Sequence, residues 1–150
     1  MKVMLATRNN GKIIEMRRLL EPLGLELDNQ TDTDIPSPVE DGQTFVENAL
    51  IKARAVSLAS STPAIADDSG LVVPALDGRP GIYSSRFAHI DASDAENNSE
   101  LLTQLANQES RAAYFFCSMV FLRPAKDPTP IIAYGQWWGE ILSEPQGEGG

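Results

Sequence analysis

Residues 2–24 read KVMLATRNNGKIIEMRRLLEPLG, and the change of rhythm inside them decides the fold class. Lys2 to Ala6 is a short apolar run, read as a strand. It breaks at a polar turn, Thr7-Arg8-Asn9-Asn10-Gly11-Lys12. Ile13, Met16, Leu20 and Leu23 then recur at steps of three and four, with Glu15, Arg17, Arg18 and Glu21 on the other side. That is the spacing of an amphipathic helix, and Gly24 is its expected stop.

Working outward, Leu25 to Leu27 starts a second strand. Thr31 to Asp41 carries Pro36 and Pro38 among the acids Asp32, Asp34, Glu40 and Asp41, so it reads as a loop. Thr44 to Leu58 is a second helix with the stripe Phe45, Ala49, Ala53 and Val56. Ala64-Ile65-Ala66 and Leu71-Val72-Val73 read as two strands flanking Asp67-Asp68-Ser69-Gly70. Gly78, Pro80 and Gly81 mark a turn within Asp77 to Tyr83. Ala95 to Leu105 is a third helix, capped by Ser93 or Asp94. Ala112 to Leu122 and Ile131 to Leu142 are extended runs joined through 123–130 as a hairpin. Helices mixed with strands, one pair of them antiparallel, make an α/β fold with a mixed sheet.

The chain has 150 residues, 42% apolar and 22% charged, which suits one globular domain and excludes wholesale disorder, collagen and coiled coil. No apolar run approaches the ~18 residues of a membrane span, so no membrane partner is expected. The one cysteine, Cys117, has no internal disulfide partner, and the chain reads as cytoplasmic. Acids outnumber bases 21 to 12, a net charge of −9. That argues against a nucleic-acid polymer, whose binders carry basic stripes. A small phosphorylated ligand stays open, because a local pocket of Lys and backbone N–H groups, or a divalent cation, can hold one.

Three groups of residues could carry chemistry. The Thr7–Lys12 turn opens a helix whose unpaired N–H groups favour phosphate, with Gly11 allowing close approach and Lys12 adding charge. It matches neither the Walker nor the Rossmann spacing, and an ordinary polar turn remains the alternative. Asp67-Asp68 follows an apolar strand. Its two side chains face one cleft only if the strand ends there, since strand side chains alternate. Carboxylates at a strand end suit Mg²⁺; a solvated turn is the alternative. Glu40 lies in the acidic loop, and Asn48 and Lys52 share a face of the following helix. Lys52 either snorkels to solvent or reaches into the cleft. His89 is the only histidine and stands outside any cluster, which disfavours a zinc site or a Ser-His-Asp triad. Cys117 is expected in the core. Of Trp137 and Trp138, one is expected to pack and one to lie at a surface. Arg86 is left between a phosphate or partner contact and a surface ion pair.

Together these segments resemble the inosine triphosphate pyrophosphatase family, enzymes that remove aberrant purine nucleotides. The matching pieces are Thr7–Lys12, Glu40 through Ala53, Ala64 through Leu71, and Gly78-Arg79-Pro80-Gly81-Ile82-Tyr83-Ser84-Ser85-Arg86, in the family order. The resemblance implies an elongated mixed sheet flanked by helices, and a homodimer. It implies hydrolysis of ITP, dITP and XTP to the monophosphate and pyrophosphate with Mg²⁺. By position, Thr7, Arg8, Asn9, Asn10, Gly11, Lys12, Lys52 and Ser69 would bind the nucleotide. Glu40 and Asp68 would hold the metal. Asp68 would also be the base for water, with Asp67 supporting the acidic cluster.

The resemblance also implies a departure. The family continues past a glycine-rich turn like Glu148-Gly149-Gly150 into a Phe-Gly-Tyr-Asp segment, a lysine and a Ser-His-Arg segment that read the base. Residues 1–150 are thus expected to form a pyrophosphatase domain incomplete at its C-terminus, lacking a strand and a helix. The alternatives are an inactive truncated remnant that only binds nucleotide or a partner chain, and a related pyrophosphatase for pyrimidine or methylated nucleotides.

Overall fold

The strand–turn–helix rhythm of residues 2–24 is realised as β1 (Lys2–Leu5) and α1 (Asn10–Leu20) in the computed structural model, which describes residues 1–147. The glycine-rich turn at 148–150 lies outside them. Asn9, in extended backbone, caps α1 by accepting the Lys12 amide on its side-chain oxygen at 3.1 Å. The helix ends at Leu20 because Pro22 follows. A short 3-10 turn, Glu21–Leu23, then closes on Gly24, whose φ of 80° is left-handed. The expected stop is where the sequence put it.

β2 (Glu26–Asn29), α2 (Phe45–Ser60), β3 (Ala64–Val72), α3 (Asp94–Gln104), β4 (Ala112–Leu122) and β5 (Ile131–Glu140) complete the regular structure. The sheet runs β2-β1-β3-β4-β5. β1 lies parallel to both β2 and β3, with Leu5 opposite Asn29 and Ile65. The Ile141 amide, just past β5, donates to the Arg111 carbonyl, just before β4, at 2.9 Å. Their far ends therefore meet, as in the expected hairpin. The sheet is mixed and the fold is α/β, as the sequence indicated.

One expectation is corrected. Residues 64–66 and 71–73 are not two strands around a turn. β3 runs unbroken through Asp67, Asp68, Ser69 and Gly70. Polar composition points to a turn, but the strand continues between β1, which pairs with it at Ala64 and Ile65, and β4 on its other side.

The chain folds as two compact units. The first joins Met1–Asp68 to Ser118–Tyr134. Its core has two clusters: Met4, Ala6, Ala49, Ala53, Val56, Ala64, Ala66, Val120 and Leu122 form one, and Val3, Leu5, Ile13, Met16, Leu27 and Ile65 the other. Alternate residues of β1 supply the two clusters, as the twofold rhythm of a strand buried on both faces requires. The second unit, Ser69–Cys117 with Gly135–Gly150, packs around Val73, Leu76, Leu101, Leu105 and Ala113. Ser93 caps α3 there in a capping box with Glu96.

Candidate active site

All but one of the residues that the resemblance assigns to the site fall in the first unit, Ser69 being the exception, and β3 divides them. Asp67 and Asp68 are consecutive in a continuous strand, so their side chains point to opposite faces. The strand does not end there, as a shared cleft was expected to need; β1, however, pairs with β3 only at Ala64 and Ile65, so both acids lie beyond the last paired residue of that neighbour.

On one face, Lys12 from the first turn of α1 brings its ammonium to 2.5 Å from Asp67 Oδ2. Asp67 is only 3% exposed, and its Oδ1 is buried without a hydrogen-bond partner. A buried carboxylate is tolerated because an ammonium neutralises it.

On the other face, α2 delivers two side chains one turn apart. Lys52 Nζ lies 3.1 Å from Glu40 Oε2 and 3.6 Å from Asp68 Oδ1. Asn48 donates its amide to Asp68 Oδ2 at 3.2 Å and accepts the Gly42 amide on Oδ1 at 2.9 Å. The expected shared face of Asn48 and Lys52 is thus confirmed, and Lys52 reaches inward rather than snorkelling away. α2 is oriented by its own start: Thr44 accepts the Glu47 amide, and Glu47 accepts the amides of Thr44 and Gln43 at 2.8 Å. Those bonds also hold the Glu47 carboxyl below its ordinary pKa, the Thr44 hydroxyl contributing most.

The Thr7–Lys12 turn is built from the same residues expected to meet phosphate. Thr7 accepts the Asn9 amide at 3.2 Å, and Asn9 caps the helix. Asn10 and Gly11 open α1 and are exposed. Arg8 sends a guanidinium nitrogen to the Ile35 carbonyl at 2.8 Å, where Gln30 also donates at 3.0 Å, so it fastens the acidic loop. Ser69, the next residue on β3, is half-buried and belongs to the second unit.

The remaining candidates separate cleanly. His89 is exposed and pairs with Glu96 at 3.3 Å. Arg86 stacks its guanidinium over the Tyr83 ring at 5.1 Å, neither of the contacts expected of it. Cys117 is half-buried rather than core. Trp137 and Trp138 are both exposed, at 78% and 56%; Trp138 nevertheless stacks against Tyr114 with ring centres 4.3 Å apart.

Among the described residues, no group of three or more His, Cys, Asp or Glu gathers to hold an ion alone. Magnesium does not need one: it is commonly held by one or two carboxylates while water and substrate phosphate fill its shell. Glu40 and Asp68, brought to one ammonium, are a donor set of that kind.

The Ham1 family model matches residues 3–150 of the chain. The chain is similar to the dITP/XTP pyrophosphatase of Halorhodospira halophila, 53% identical over all of the chain and 76% of the relative. It is 48% identical to the dITP/XTP pyrophosphatase of Escherichia coli, over 99% of the chain and 77% of the relative. Among solved structures, a HAM1 protein from Coxiella burnetii superposes with a TM-score of 0.95 at 42% identity, covering all of this chain and 77% of that one.

Proposed function

The chain belongs to the Ham1 family and is a nucleoside triphosphate pyrophosphatase, a hydrolase of acid anhydrides; from that premise we propose that it splits dITP, XTP and ITP into the monophosphate and pyrophosphate with Mg²⁺, removing them from the nucleotide pool. The names of its relatives support the substrate class. The observation that carries the reading is the meeting of Glu40, Asp68 and Lys52, with Lys12 held by Asp67, the preceding residue of the same strand.

The chemistry follows from charge. A triphosphate is strongly anionic, and breaking its α–β anhydride needs positioning and electrostatic stabilisation more than a covalent nucleophile. Lys12 and Lys52 supply ammonium groups to offset that charge. The Thr7–Lys12 turn offers backbone N–H groups at the start of α1, where the helix dipole favours anions; Thr7 and Asn9 shape this turn as well as facing the phosphates. Glu40 and Asp68 would hold magnesium, which when bound neutralises phosphate charge and lowers the pKa of its water. Asp68 takes the proton of the water that attacks the α-phosphorus. Asp67 keeps Lys12 in place. Ser69 contacts the nucleotide.

Assembly as a homodimer and a cytoplasmic setting belong to the same proposal. The large apolar side chains exposed on both faces of β5, Ile131 and Trp137 on one and Ile132 and Tyr134 on the other, support a partner surface. Among the described residues no helix is long and apolar enough to cross a membrane. The test is a product assay. With dITP or XTP and Mg²⁺, equal amounts of monophosphate and pyrophosphate are expected. Release of orthophosphate, or nucleotide binding with no turnover, would defeat the reading.

A further inference from the structure

Asn48 is 2% exposed and sits in the second turn of α2. A mid-helix asparagine is intrinsically unfavourable, and burying its amide is costly unless both ends are bonded. Both are. Its oxygen accepts from Gly42 at 2.9 Å, and its nitrogen donates to Asp68 at 3.2 Å. Gly42 lies two residues after Glu40. The approach there is so close that a Cβ on Gly42 would come within 2.6 Å of Asn48 Oδ1 and 2.7 Å of Glu47 Cβ. Only glycine fits without displacing the bond.

We propose that Asn48 is a positioning residue: a two-ended latch that ties the Gly42 turn to Asp68, so that Glu40 and Asp68 stay together beside Lys52. The inference rests on reading those two carboxylates as the cation-holding pair. An amide accepts from a backbone N–H at its oxygen and donates to a carboxylate at its nitrogen, so one neutral side chain makes both bonds from separate atoms. Aspartate keeps the first bond and loses the second, setting a third carboxylate against Asp68. Groups that orient metal-holding carboxylates typically change metal affinity or activity by roughly 10–100-fold when removed.

Three variants test this in the full chain: Asn48→Ala, Asn48→Asp and Gly42→Ala. The readouts are hydrogen exchange at the Gly42 amide and the Mg²⁺ concentration giving half-maximal turnover of dITP. Asn48→Ala is expected to speed Gly42 exchange and raise the Mg²⁺ requirement by roughly tenfold, with KM for dITP at saturating Mg²⁺ nearly unchanged. Asn48→Asp, the conservative variant for folding, keeps Gly42 protected but loses turnover. Gly42→Ala behaves like Asn48→Ala. Unchanged Gly42 exchange in Asn48→Ala overturns the latch. Faster exchange and a lower melting temperature with an unaltered Mg²⁺ requirement overturn its positioning role and leave only a structural one. Asp68→Asn, run alongside, separates the two ideas: if it leaves the Mg²⁺ requirement unmoved, the cation pair itself is wrong, while the exchange data still judge the latch.

Discussion

On one side of β3, Asp67 lies buried against a single ammonium, that of Lys12; on the other, Asp68 divides its carboxylate between the Lys52 ammonium and the Asn48 amide, with Glu40 joining at Lys52. The first centres on one ion pair, with one Asp67 oxygen left over. The second is an open network whose members come from a loop, a helix and a strand. Two neighbouring acids thus acquire different chemistry from the alternation of one strand. The buried Asp67 carboxylate anchors the partly exposed Lys12 ammonium. An open, partly exposed pair of acids can exchange partners with a cation or a substrate.

The sharpest way to break this comparison is catalytic. Asp68→Asn is expected to cut dITP turnover by roughly 10²–10⁴-fold, the usual worth of a general base, while leaving the melting temperature close to that of the parent. Steady-state kinetics beside a thermal melt decides it. Equal turnover in the variant would place the base elsewhere.

Next comes stability. Lys12→Ala strands a buried carboxylate, and breaking a buried pair from one side costs about 3–5 kcal/mol. Because Lys12 is partly exposed, the low end is expected. Lys52→Ala leaves Asp68 still bonded to the Asn48 amide and Glu40 more than a third exposed, so a smaller loss of about 1–2 kcal/mol is expected. Urea unfolding of both variants should rank them in that order; the reverse order would mean that Asp67 is not the more dependent acid.

A third acid sharpens the contrast because it is structural throughout. Asp127 is buried in the turn between β4 and β5, bonded to the Arg123 guanidinium at 2.8 Å and to the Thr129 amide at 2.9 Å. Arg123, above all, holds its pKa down to about 2 from 3.8. Depression means that the stabilisation is complete above the unfolded value and is lost as pH falls toward 2. Melting temperatures at pH 6 and pH 2.5 should therefore differ less for Asp127→Asn than for the parent chain. An identical pH dependence would remove Asp127 from the balance.

The smallest effect concerns the start of α2. Thr44→Ala removes the cap that orients Asn48 and Lys52, and about 1 kcal/mol is expected from cap loss. Denaturant midpoints would register it.

Much of this was legible where chemistry is local. The steps of Ile13, Met16 and Leu20 gave α1, the four-residue spacing gave Asn48 and Lys52 one face, and Gly24 ended the first helical stretch. What depends on distant partners was not. Asp67-Asp68-Ser69-Gly70 looked like a turn because polar residues usually avoid buried strands, and nothing local reveals that Lys12, fifty-five residues earlier, neutralises Asp67. Arg8 read as a ligand to phosphate, but its guanidinium is engaged by the Ile35 carbonyl, twenty-seven residues on. The four-residue spacing puts Asn48 on the right face and gives it no role. The signal was there in Gly42 six residues before it, but a loop glycine explains itself until its neighbour is seen. β5 was found as an extended run, while the exposure of Trp137 and Trp138 together depends on what the strand faces and not on its own residues.

The division of labour across β3 is tested most directly by carboxyl ¹³C NMR. Mn²⁺ would be titrated, as a paramagnetic stand-in for Mg²⁺, in the presence of a non-hydrolysable dITP analogue. The expected result is strong broadening of the Glu40 and Asp68 carboxyl signals at the lowest Mn²⁺ levels, with Asp67 affected last. Asp67 broadening first, or Glu40 and Asp68 responding independently of each other, would contradict it.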